Sequence, residues 1–115
     1  MAFARAHRLL KAAHYQFVFA KPRRSRDHLW TVLARASAHG EARLGMAISK
    51  KVARKAVQRN RLKRLVRENF RQKRQGLGAT DFVVLANRAA TTATAQELRA
   101  SLNKHWRKLH AARTG

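Results

Sequence analysis

The sequence predicts a single α+β domain, and three observations carry the prediction. Apolar residues recur at helical spacing in three segments. Between those segments lie short runs that alternate in polarity or are uniformly apolar, as strands are. At 115 residues with 45% apolar content, the chain can enclose one core and has the composition of a globular protein. No internal repeat, linker or second domain interrupts residues 1–115.

The elements follow in order. From Arg5 to Ala20, the residues Leu9, Leu10, Ala13, Phe17 and Val18 recur at roughly helical spacing, with Tyr15 and Phe19 four apart on a neighbouring face. Pro22 ends this first helix, and PRRSRD reads as loop or a short irregular strand. HLWTVLARA alternates as a strand, with His28, Trp30 and Val32 on one face and Leu29, Thr31 and Leu33 on the other. After Gly40, ARLGMAISK is a second strand. Its Leu44, Met46 and Ile48 point one way, and small Gly45, Ala47 and Ser49 the other. Leu62, Leu65, Val66 and Phe70 then predict an amphipathic helix that Gly76 and Gly78 close. DFVVLAN is a short strand of the buried kind. In the last helix Thr94 and Glu97 form a capping box, and Leu98, Leu102, His105, Trp106 and Leu109 line one face. If the strands flanking the basic helix share a sheet, they form a crossover whose default hand is right-handed.

Charge is the dominant feature. The formal net charge is +22, with 27 Lys and Arg against five carboxylates, far beyond what solubility needs, and this points to nucleic acid or an anionic surface. No apolar run approaches the roughly 20 residues that cross a bilayer, so a soluble chain is expected. The absence of cysteine excludes disulfides and thiolate metal sites and fits a reducing compartment. An acid-free, Arg- and Ala-rich stretch precedes Asp27. It has the composition of an organelle transit peptide, but its ordered apolar spacing favours a folded helix; no secretory signal is visible.

The charge concentrates between Lys50 and Arg71, KKVARKAVQRNRLKRLVRENFR, where ten of 22 residues are Lys or Arg and Glu68 alone opposes them. In projection Asn60, Arg64, Arg67 and Arg71 lie opposite the apolar stripe, while Arg59 falls close to the stripe. A merely solvated face would intersperse acids to relieve its own repulsion, so a polyanion is the expected partner. Arg grips phosphate with a planar fork, and Lys acts as a point charge. Tyr15, Phe19 and Trp30 form a candidate surface for stacking unpaired bases, against the ordinary reading of aromatics as core.

Catalysis by the protein itself is not favoured. Asp27, Glu41, Glu68, Asp81 and Glu97 are spread over five segments, a thin supply for metal-ion chemistry. Glu68 is better assigned to pairing with Arg64 or Arg71, Glu97 to capping, and Asp81 to a strand entrance. The six histidines offer no ligand spacing and single out no acid–base pair. No catalytic and no metal-ligating residue is assigned.

SKKVARKAVQRNRLKRLVRENFR, Ser49 to Arg71, closely resembles the signature of the bacterial ribonuclease P protein component family, including its RNR element at Arg59, Asn60 and Arg61. RLLKAAHYQFVF resembles the family's opening helix, and RLGMAIS and DFVVLAN its strands on either side of the basic helix. The likeness runs in order over about residues 8 to 110, far more than a basic helix alone would supply. Ala53 replaces a frequent Gly, His14 a common acid and Tyr15 a usual Phe, and LANR leaves the role of Arg88 open.

The resemblance implies a two-layer α/β sandwich ordered αβββαβα, with a four-stranded mixed sheet and a left-handed βαβ crossover, contrary to the default. It implies a protein subunit assisting removal of the 5′ leader from precursor tRNA, with catalysis in an RNA subunit that, with the substrate, mainly holds the Mg2+; no metal bound tightly by the protein is expected. The implied partners are the catalytic RNA and precursor tRNA, with no membrane and no obligate protein partner, and the implied location is cytoplasmic. RNA binding falls to Lys50, Lys51, Arg54, Lys55, Arg59, Asn60, Arg61, Lys63, Arg64, Arg67 and Arg71. A cleft between the first helix and the sheet, with Tyr15 and Phe19 and with Trp30 placed by alternation alone, takes the leader. The rival readings are a structural RNA binder of the ribosomal type and a self-sufficient basic ribonuclease.

Overall fold

The computed structural model describes residues 8–37 and 40–114. The elements run α1 (Ala12–Ala20), β1 (Arg23–Arg26), β2 (Trp30–Ala36), β3 (Arg43–Ala47), α2 (Ala56–Lys73), β4 (Thr80–Ala86) and α3 (Ala95–Thr114), with 3-10 turns at Arg74–Gly76 and Arg88–Thr91. This is the expected αβββαβα order. The sheet is mixed, in the order β1-β2-β4-β3: β1 and β4 flank β2 antiparallel, and β3 runs parallel to β4. The link between β3 and β4 is α2, which makes the basic helix the crossover element.

Alternation along the strands divides the core in two. Trp30, Val32, Phe82, Val84 and Leu44 face α2 and α3, where Leu62, Leu65, Val66, Phe70, Leu98, Leu102, Trp106 and Leu109 complete the main cluster. The rings of Phe70, Phe82 and Trp106 meet edge-to-face with centroids 5.2 to 6.1 Å apart. On the opposite face α1 covers a smaller cluster of Leu9, Val18, Leu33 and Val83.

The predicted capping box is present: the Thr94 hydroxyl accepts the Glu97 N–H at 3.1 Å, and the Glu97 carboxylate accepts the Thr94 N–H at 2.9 Å. Asn69 lies on the buried face of α2 although periodicity does not select it. Its side-chain oxygen accepts the Trp106 indole N–H at 2.6 Å, and its amide donates to Asn103 at 3.3 Å, joining α2 to α3. A buried polar group fully bonded in this way costs little and fixes the helix pairing.

Three expectations need correction. The first helix begins at Ala12, not Arg5. Arg8 instead bridges to Leu44, and the Leu9 N–H donates to the Leu44 carbonyl at 2.9 Å, so pairing at the edge of β3 wins over helical spacing. Residues Arg5 to His7 lie outside the described residues. His14 defines the start, because its Nδ1 accepts the N–H groups of Leu10 and Lys11, as a capping acid would. Second, RRSR is a regular edge strand, β1, paired with β2 from Arg23↔Ala34 to Arg26↔Thr31. Third, Leu29 does not oppose Trp30 but joins it in the main core. It precedes the strand in a turn where the Asp27 carboxylate accepts the N–H groups of Leu29 and Trp30, each at 2.9 Å.

Asp27 also accepts the Ser101 hydroxyl and lies 3.3 Å from His105 Nε2, while His105 Nδ1 is 2.6 Å from Ser25 Oγ. His105 Nε2 has no hydrogen-bond partner despite this approach to Asp27. Burial raises the Asp27 pKa, but the bonds from Ser101, Trp30 and Leu29, with the nearby His105, outweigh it and hold the carboxyl well below its ordinary value. The Ser, His and Asp chemistry here is sealed, with Ser25 and His105 both buried, and it ties α3 to the β1–β2 turn.

Candidate nucleic-acid interface

The strand register lays three rows of residues across the face that carries α1. Arg35, Asp81 and Arg43 form the first, Arg24, Leu33, Val83 and Gly45 the second, and Arg26, Thr31, Leu85 and Ala47 the third. In the first row Arg43 grips the buried Asp81 through two bonds of 2.8 Å, which raises the Arg43 pKa. Arg35 stacks over Phe17 with its guanidinium carbon 3.9 Å from the ring centroid, and it donates to the Phe17 carbonyl at 2.7 Å. The second row is roofed by Val18 and Tyr15. The third row keeps Arg26 and Ala47 exposed and Thr31 and Leu85 half-buried, so it is the part of this face that α1 leaves uncovered.

Tyr15 and Phe19 stand on that helix. Tyr15 lies flat against Gly45, where a Cβ would come within 2.7 to 2.9 Å of its ring, and its hydroxyl is 3.4 Å from the Met46 N–H. Glycine is favoured there by close approach rather than by φ. Phe19 is 46% exposed. Trp30 is not part of the cleft. It is fully buried under α3, and its indole N–H donates to the Leu98 carbonyl at 3.2 Å. The predicted alternation of β2 is correct, but the face that carries Trp30 and Val32 is the helix-covered one.

The basic residues divide by position. Lys50, Lys51, Arg54 and Lys55 are exposed on the loop before α2, a turn in which the Val52 and Ala53 N–H groups donate to the Ser49 carbonyl. Ala53 is fully buried and has no positive φ, so the turn does not need the family's glycine. Asn60, Arg61, Arg64 and Arg71 are exposed on the outer face of α2. Arg71 pairs there with Glu68, which lowers the Glu68 pKa. Lys63 and Arg67 are half-buried and turn the other way. With Arg8, Tyr15 and Gly45 they line a cavity of about 210 Å3 between α1, β3 and α2. Arg67 therefore leaves the outer face to which projection assigned it, because it sits at the edge of that face and its long stem lets the charge swing across.

Arg59, near the apolar stripe, folds back on the loop, donating to the carbonyls of Ala53 and Arg54 at 2.8 and 2.9 Å. It shapes the loop that presents the other cations. The sequence assigns Arg88 no role; the fold brings it from the turn after β4 to a groove of about 790 Å3 that it lines with Lys51, Arg54 and Lys55. Phe17 and Arg35 were also missed, because only the α1–β2 contact reveals their stacking. Among the described residues no three His, Cys, Asp or Glu side chains gather as a metal-ligand set, and no helix is long and apolar enough to cross a membrane.

The family profile described as Ribonuclease P matches residues 3–110. The chain is 48% identical to the ribonuclease P protein component of Methylococcus capsulatus, over 90% of this chain and 81% of that one. It is 43% identical to the protein of the same description from Salmonella arizonae, over 94% and 91%. The fold superposes on the Staphylococcus aureus RNase P protein with a TM-score of 0.81 and 31% identity, over 90% of this chain and 94% of that one.

Proposed function

The chain belongs to the ribonuclease P protein family, and from that premise, as a protein component of the complex with a role in tRNA 5′ maturation, we propose how its surfaces divide the work. Association with the ribonuclease P RNA follows from membership. The exposed loop Lys50 to Lys55, the outer α2 residues Asn60, Arg61, Arg64 and Arg71, and Arg88 hold the catalytic RNA, with Arg59 fixing the loop. The cleft walled by Tyr15 and Phe19 takes the single-stranded leader of precursor tRNA. Lys63 and Arg67 stand where leader and catalytic RNA converge.

The observation that carries this reading is the split of α2: one helix presents Arg64 outward, and Lys63 and Arg67 toward the aromatic cleft. A polyanion that must bring in a second polyanion needs cations facing both. Catalysis resides in the RNA. In support of this, Asp27, Glu68, Asp81 and Glu97 are engaged by a turn, a surface pair, the half-buried Arg43 and a cap, and among the described residues no three acidic or histidine side chains gather. Magnesium is held by RNA and substrate, and the place of action is the cytoplasm.

Reconstitution tests the proposal. Precursor tRNA is incubated at low magnesium with the chain, with the catalytic RNA, or with both. Cleavage that needs both supports it. Cleavage by the chain alone would move the chemistry to the protein, and RNA binding with no effect on cleavage would leave a structural RNA binder.

A further inference from the structure

We propose a second RNA contact, separate from the cleft and from the loop before α2: a cavity at the far ends of α2 and α3 that takes one unpaired nucleotide, base inward and phosphate at the mouth. The cavity measures about 240 Å3 and is lined chiefly by Lys73, Leu77, Asn103, Trp106, Arg107 and His110. That is below the roughly 300 to 1,000 Å3 of sites for drug-sized molecules, and it suits a single base rather than a whole cofactor.

Its chemistry is graded from inside to outside. Leu77 and Trp106 are buried and supply an apolar floor, while Lys73 and Arg107 are exposed cations at the rim, with no carboxylate in the lining. Between them are groups that read a base edge. The Asn103 oxygen is already taken by Asn69, whose own oxygen holds the Trp106 indole, so the two N–H donors of Asn103 are left for the cavity. His110 also lines the cavity, with its Nδ1 enclosed and without a hydrogen-bond partner. An apolar floor, edge donors and rim cations together match an unstacked nucleotide, the form in which RNA is read by proteins. An unpaired loop of the catalytic RNA and a single-stranded part of precursor tRNA share this chemistry.

The test uses the two tryptophans as reporters, since each gives one indole N–H resonance. A short single-stranded oligonucleotide is titrated into the full chain. The Trp106 resonance should shift saturably while that of Trp30 stays still. Lys73→Glu and Arg107→Glu, both exposed, should each weaken that shift about tenfold, the size expected for a charge-assisted bond. In the complex with catalytic RNA, the same variants should expose one protected nucleotide. Exposure without substrate assigns the nucleotide to the catalytic RNA, and exposure only with precursor tRNA assigns it to the substrate. An unmoved Trp106 resonance, or a shift indifferent to both reversals, overturns the proposal.

Discussion

On one face of the sheet, helices of 18 and 20 residues bury Trp30, Phe82 and Trp106 in a single cluster, and the polar groups of Asn69, Ser25 and His105 are enclosed with them. On the other, a helix of nine residues buries Val18 and leaves Phe19 and the row from Arg26 to Ala47 reachable from solvent. Both faces contain aromatics and cations, so residue type does not distinguish them. Coverage does: a long helical layer turns an aromatic into core, and a short one leaves it at the surface.

Truncating a ring on each face tests the contrast most directly. Trp30→Ala removes a fully buried ring and its bond to Leu98, and should lower stability by about 3 to 5 kcal/mol. Phe19→Ala, on the open face, should cost under about 1 kcal/mol, because nearly half of the ring is already in water. Urea denaturation measures both. Equal losses would mean that the two faces are equally closed.

Next in size is the polar lock on the covered face. Asp27→Ala strands the N–H groups of Leu29 and Trp30 and the Ser101 hydroxyl, and should cost about 2 to 3 kcal/mol. The pH dependence has a definite sign. Because the folded-state pKa of Asp27 is depressed, its contribution is complete above the ordinary carboxylate value, about 4, and is lost as pH falls below it. The stability gap between wild type and Asp27→Asn, followed by urea denaturation from pH 6 to pH 3, should therefore narrow; a constant gap would show that Asp27 is not depressed.

The comparison also explains what could be read from sequence. The covered face was legible, because α2 and α3 obey helical periodicity and α3 carries its own capping box at Thr94 and Glu97. The open face was less so. Leu9 and Leu10 have helical spacing, yet the edge of β3 draws Leu9 into strand-like pairing, a contact about 35 residues away along the chain that no local pattern contains. Strand alternation groups Trp30 with Val32 correctly, but period two does not say which side a later helix will cover. The cations of α2 could be listed but not sorted, because the positions of Lys63 and Arg67 depend on where Tyr15 lies.

A smaller effect tests the open face itself. Gly45→Ala forces the Tyr15 ring away from β3, and since a side chain's far end can yield, stability should fall by only about 1 kcal/mol. If Tyr15 stacks on a leader nucleotide from that position, precursor tRNA with a leader should bind more weakly by about 1 to 3 kcal/mol. Mature tRNA should be unaffected. Affinities of the reconstituted complex for both ligands decide it, and equal losses would assign Tyr15 to the fold alone.

The smallest effect separates two arginines five positions apart on one helix. Arg64 points outward from α2, whereas Arg59 spends its guanidinium on the carbonyls of Ala53 and Arg54. Each phosphate neutralised adds about 0.7 to 0.9 to the slope of log affinity against log salt. Arg64→Ala should therefore reduce the slope for catalytic-RNA binding by about one such increment and leave stability almost unchanged. Arg59→Ala should lower stability by about 1 kcal/mol through the two lost bonds and reduce the slope by less than one increment, because its charge is turned inward to the loop. Binding isotherms at several salt concentrations, with urea denaturation of each variant, test the pair. The reverse pattern would make Arg59 the direct contact and Arg64 a bystander, and the sorting of cations by burial would then fail on the outer face of α2.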